Sequence, residues 1–150
     1  MGLRPEELKP EGIINNLEGR KMAHPSSKVL EHFFNPRNPG EIETPDGIGT
    51  SGGPQERNFM RITIKVDNDK IMDIKFQSYT CLVAVAACSM VTELAKGKGL
   101  TEAMSLSPVS IASQLGGIPE ERMDRCYLAV EALHNACQDF MIKKESRTMI

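Results

Sequence analysis

The sequence predicts an α+β domain, with a small antiparallel sheet of about three strands packed against helices. Two stretches of strict apolar–polar alternation, residues 60–66 and 72–76, stand close together in the first half of the chain. From Cys81 onward the apolar residues recur instead at spacings of three and four. Alternation does not return after that point. Strands therefore come before most of the helices, and the helices must cover the sheet rather than interleave with it.

In the first strand Met60, Ile62, Ile64 and Val66 alternate with Arg61, Thr63 and Lys65. In the second, Met72, Ile74 and Phe76 alternate with Asp73, Lys75 and Gln77. A period of two places one face on a core and the other in water. The polar turn at residues 67–70 joins the strands as an antiparallel hairpin. Upstream, Ser26 is a helix cap for Ser27–Phe34, and Pro36 stops that helix. Residues 35–58 are rich in Gly and Pro and read as loop, with one short strand near 47–52.

After the hairpin, Cys81, Ala84, Val85, Cys88, Val91 and Ala95 mark a buried helix that ends near Gly97. Ser107 and Pro108 open another helix, as cap and first helical residue, and Gly116-Gly117 closes it. A last helix starts near Pro119. Its stripe is Met123, Cys126, Val130, Leu133, Cys137, Phe140 and Met141. Residues 1–24 are polar, carry Pro5 and Pro10, and are expected to form an extension outside the fold. That extension is a disordered or partner-docking arm, with a short helical piece around residues 11–17 and Ile13, Ile14 and Leu17 as anchors. The domain proper spans residues 25–150. No internal repeat is present.

Composition narrows the function. The 150 residues suit one core, and a net charge of −2 favours neither nucleic acid nor an anionic membrane. Trp is absent, which argues against a base-stacking platform. The opening residues lack the apolar stretch of a secretion signal, and the longest apolar run, residues 81–91 broken by Ser89, is too short to span a bilayer. The expected location is cytoplasmic. Four cysteines there read as thiols, ligands or small core residues rather than disulfides. Cys88 and Cys137 fall on apolar stripes and are expected in the core. His32 and His134 have no second ligand at metal spacing, and His24 lies in the arm. Residues 47–53 are glycine-rich but do not precede a helix as a phosphate loop does. No Ser-His-Asp or Cys-His pairing is evident, so a free-standing enzyme is not expected.

Three segments carry a family resemblance. Residues 28–40, KVLEHFFNPRNPG, residues 78–103, SYTCLVAVAACSMVTELAKGKGLTEA, and residues 115–136, LGGIPEERMDRCYLAVEALHNA, together resemble the U-type iron–sulfur scaffold family (IscU and the N-terminal domain of NifU). The likeness covers residues 26–143. It implies a scaffold on which a transient cluster is built by three cysteines and an aspartate, with sulfur delivered as persulfide from a cysteine desulfurase. Iron in clusters is held by soft thiolates.

Carried onto this chain, that ligand set is broken. The family's Cys-Gly-Asp falls on Glu56-Arg57-Asn58, so the cysteine is replaced by Glu56 and the aspartate by Asn58. The second cysteine is present as Cys81. The family's His-Cys falls on Asp124-Arg125, with Gly116, Gly117 and Pro119 setting the register from one side and Leu128, Ala132 and His134 from the other. Cys126 then takes the following place, rotated by roughly 100° and on the core stripe; a local shift that turned it into a ligand is the alternative. The former cluster positions are thus Glu56, Asn58, Cys81, Asp124 and Arg125.

One thiolate and an intruding guanidinium make a cluster implausible, so no cofactor is expected. The reading favoured here is a closed site in which Glu56 pairs with Arg125. The alternatives are zinc on Glu56, Cys81 and Asp124, or an iron–sulfur cluster completed by a partner. Two functions follow. One is a non-catalytic interaction or structural subunit of a larger assembly, with redox complex subunits as its expected partners. The other is a sulfur-relay or cluster-assembly accessory in which Cys81 accepts persulfide from a cysteine desulfurase, helped by its place at a strand-to-helix junction.

Overall fold

The computed structural model describes residues 25–53, 59–78 and 81–148. The predicted arm, residues 1–24, and the segment holding Glu56 and Asn58 lie outside the described residues. The three strands are β1 (Gly47–Ser51), β2 (Met60–Asp67) and β3 (Lys70–Ser78), in the order β1-β2-β3 and antiparallel throughout. The helices are α1 (Ser27–Phe34), α2 (Leu82–Ala95), α3 (Leu100–Met104), α4 (Pro108–Gln114) and α5 (Met123–Thr148). A 3-10 turn, Glu120–Arg122, leads into α5. The last helix therefore starts at Met123, a turn later than its proline suggested. In α3, a helix that the sequence pattern did not show, only Leu100 and Ala103 point inward, too few residues to establish a period.

The hairpin turns on Asn68 and Asp69, which both take left-handed backbone angles, φ 52° and 60°. Asn and Asp tolerate that region, and two such residues in succession match the twist of paired strands. Met60, Ile62, Ile64, Ile74 and Phe76 are buried under α2 and α5. α2 is buried on nearly every side; Ala84, Ala86 and Ala87 let it approach the sheet and its neighbouring helices closely.

The other face of the sheet is not simply in water, as alternation alone suggests. Thr63 is 1% exposed. Residues 41–46 fold back across it, with Ile42 buried and its N–H donating to Thr63 Oγ1 at 3.1 Å.

Both outer edges of the sheet are covered, as an unpaired edge must be to avoid pairing with other chains. On β1, side chains of α5 do this. Asp139 Oδ2 accepts the Ile48 N–H at 2.9 Å, and Asn135 Nδ2 donates to the Thr50 carbonyl at 2.9 Å. On β3, the segment after α1 takes the role. Gly40 N–H donates to the Phe76 carbonyl at 2.8 Å, and Phe76 N–H donates to the Asn38 carbonyl at 3.0 Å.

Candidate functional site

Cys81 is the cap of α2. Its backbone is extended (φ −149°, ψ 164°), and its Sγ accepts the Ala84 N–H at 3.4 Å. The first turn of α2 carries no acidic residue, so the positive end of the helix dipole is not offset there. The thiol is half-buried. The other three cysteines are buried. Burial pushes the Cys126 thiol up to about 11, with Asp124 adding to the rise, and Cys137 up to about 11. Burial drives the Cys88 thiol higher still, and its Sγ rests 3.4 Å from Met60 Sδ. Neutral, enclosed thiols of this kind are inert packing groups.

The first turn of α5 supplies the opposite wall. Cys126 is 0% exposed and turned into the core, while the Arg125 guanidinium lies beside the Cys81 thiol. One Arg125 nitrogen, Nη1, reaches both Asp124 oxygens at 2.6 Å. The Arg125 side chain is 17% exposed and Asp124 51%, so the cation is the more enclosed partner. The hydrogen bond to Asp124 holds the guanidinium more firmly charged than usual; burial opposes this, and contact with Cys81 adds to it. Arg125 Nε is buried without a hydrogen-bond partner among the described residues.

The structure thus brings together Cys81, Asp124 and Arg125 from two helices far apart in the chain. The expected pairing of Arg125 with Glu56 falls outside the described residues; among them, the carboxylate on Arg125 is its neighbour Asp124. No three His, Cys, Asp or Glu side chains among the described residues are grouped to share a metal ion. The donor chemistry here is one thiol facing a guanidinium, with a carboxylate already engaged by that cation.

A second polar cluster was not anticipated from the sequence. His32, 3% exposed, sits with Nδ1 2.7 Å from Ser89 Oγ and Nε2 3.4 Å from Glu93 Oε2. The Arg37 N–H also donates to Ser89 Oγ, at 2.8 Å. Thr92 Oγ1 lies 3.1 Å from the Arg37 carbonyl, to which it donates. The signal was available: Ser89 and Thr92 interrupt an otherwise apolar helix, and a buried hydroxyl needs a partner.

A three-stranded antiparallel sheet backed by a buried helix, with a cysteine at that helix's start facing the first turn of a long final helix, defines a small α+β scaffold domain. The family model described as NifU-like N terminal domain matches residues 24–147. The chain belongs to this family. It is 47% identical to the iron-sulfur cluster assembly scaffold protein IscU 1 of Archaeoglobus fulgidus over 118 residues, 79% of this chain and 77% of that one. It is 36% identical to the iron-sulfur cluster assembly scaffold protein IscU of Escherichia coli over 126 residues, 81% of this chain and 98% of the relative. Among solved structures, the N-terminal part of a nitrogen-fixing NifU-like protein from Brucella abortus has the same fold, with a TM-score of 0.61 at 16% identity, covering 79% of this chain and 94% of that one. Among the described residues no helix is long and apolar enough to cross a membrane.

Proposed function

We propose that this chain is a non-catalytic, scaffold-family interaction subunit that docks on protein partners, in the cytoplasm, without building a cluster of its own. The observation that carries this reading is Arg125 beside Cys81. A cluster is cargo that needs several thiolates converging on it, and here the space next to the one available thiol is taken by a fixed cation bound to Asp124. In this reading Glu56 supplies a second carboxylate to the same guanidinium, and the partners are redox complex subunits. Supplied with iron and sulfide anaerobically, the isolated protein will show no visible absorption from a cluster after desalting. A persistent, stoichiometric [2Fe–2S] spectrum would overturn the reading.

The role of Glu56 has its own test. Arg125→Ala alone will lower stability to denaturant more than the double change Glu56→Ala with Arg125→Ala, because the single change strands a carboxylate. The opposite order removes Glu56 from the site.

A second reading rests on the partial exposure of Cys81 and the Arg125 guanidinium beside it: Cys81 accepts sulfur from a cysteine desulfurase. Its thiolate attacks the outer sulfur of the donor's persulfide, the donor's S–S bond breaks, and the donor leaves as thiolate. Cys81 then carries the persulfide, with no net oxidation. Incubation with a desulfurase and cysteine, followed by peptide mass spectrometry, distinguishes the two readings. One added sulfur on Cys81, absent from Cys81→Ser, supports relay; an unmodified Cys81 leaves the interaction reading alone.

A further inference from the structure

We propose that an apolar notch at the open end of the β3 edge, beside Cys81, is a docking site for residues 12–16 of this chain's own N-terminal arm, bound in extended form. Pro36 and Pro39 form one wall of the notch, Phe76 and Ser78 the floor, and Val85 of α2 the other wall, around a volume of about 260 Å³. The Val85 N–H donates to the Cys81 carbonyl at 3.0 Å, so the notch adjoins the turn that carries the thiol.

Two observations mark the notch as a place for a ligand. The first is Ser78. It is 8% exposed, and its Oγ is buried with no hydrogen-bond partner among the described residues. A hydroxyl taken out of water needs an acceptor in its place. The second is the strand edge. Residues 35–40 cover β3 at Phe76, whose N–H donates to the Asn38 carbonyl and whose carbonyl accepts the Gly40 N–H. Alternate residues of an antiparallel ladder turn their backbone groups to the same side, so the Ser78 N–H and C=O face this edge as those of Phe76 do. The covering segment has left by then. Gly40 takes φ 123°, and the Ile42 N–H is already spent on Thr63 Oγ1, across the outer face of the sheet. Among the described residues none pairs with Ser78 on this side. An edge in this state is a template for one more extended segment.

The arm supplies a matching segment within reach. It joins the fold at Ser26, whose Oγ donates to the Leu115 carbonyl. α1, about 12 Å long, and Asn35 separate that joint from the notch wall at Pro36. The nine residues between Asn16 and Ser26 reach about 30 Å when extended, which is ample. Ile13 and Ile14 are β-branched and stand between Gly12 and Asn15-Asn16. That composition suits an extended segment better than the short helix suggested by the spacing of Ile13, Ile14 and Leu17. In extended form Ile14 and Asn16 share one face. Ile14 fills the notch against Phe76 and Val85, and the Asn16 side-chain oxygen accepts the Ser78 hydroxyl. Glu11 falls on the opposite face. There Lys75, alongside Gly40, has no carboxylate partner among the described residues, whereas Arg61 and Lys65 on β2 each have one.

Amide exchange and cross-linking on the full chain test the docking. Protection of the Ser78 amide is expected to fall about tenfold in Ile14→Asp, while the amides that pair β2 with β3 keep theirs. A photoreactive benzophenone side chain in place of Ile14 is expected to cross-link to residues 76–85. In an equal mixture of isotopically heavy and light chains, the cross-linked products will be single chains. Equal Ser78 protection in the two proteins, or cross-links elsewhere on the surface, would leave the notch to a segment of another protein and overturn the proposal. Heavy–light cross-linked pairs would give it to the arm of a second copy and overturn it as well.

Discussion

Gly49→Ala will destabilise the protein by about 3 kcal/mol, near the upper range for forced overpacking and a large part of a domain's total stability. A methyl at position 49 would sit 2.0 Å from the Ala132 carbonyl oxygen and 2.2 Å from the Ala136 nitrogen. Those atoms are backbone of α5 and cannot rotate away as a side chain would. The helix must move off β1, which also breaks the bonds from Asp139 and Asn135 that cover the strand's edge. Gly99→Ala is the control. Its added carbon meets only Glu102 Oε1 at 3.6 Å and the Asp69 carbonyl at 3.8 Å, ordinary contacts. Denaturant unfolding of the two variants checks the comparison; equal midpoints would mean that β1 and α5 are not held in this close packing.

The triple change Glu56→Cys, Asn58→Asp and Arg125→Cys will make the chain retain about one equivalent of zinc through desalting. It puts three thiols and a carboxylate at the places where the family resemblance sets the ligands, and removes the guanidinium beside Cys81. The double change Glu56→Cys and Asn58→Asp should not suffice, because Arg125 remains and Cys126 faces the core. Native mass spectrometry reads the result directly. Zinc held by the double variant, and lost when Cys126→Ala is added, would make Cys126 the third ligand and move the register of α5 by one residue.

The alternation of Met60, Ile62 and Ile64 was enough to place the buried face of β2, because a strand's period of two leaves no other way to hide those side chains. The capping signals Ser26, Ser107 and Gly97 likewise acted where they stand, since a cap works over three or four residues and needs no distant partner. Cys126 was legible as a core residue from the stripe it shares with Val130, Leu133 and Cys137. α3 was not legible, since five residues do not define a period. Nor was the burial of Thr63, because the residues that cover it belong to another segment.

The sequence by itself determined the family, the strands and most helices of the domain. These follow from local periodicity and from residue identity. Only the tertiary structure decided that the Arg125 guanidinium rests beside the Cys81 thiol, that Asp124 is the carboxylate bound to it among the described residues, and that His32 is closed between Ser89 and Glu93. Each of these joins side chains from separate elements. Their approach depends on how α1, α2 and α5 pack on one sheet, and the strength of a buried charge or hydrogen bond depends on what else has been brought around it.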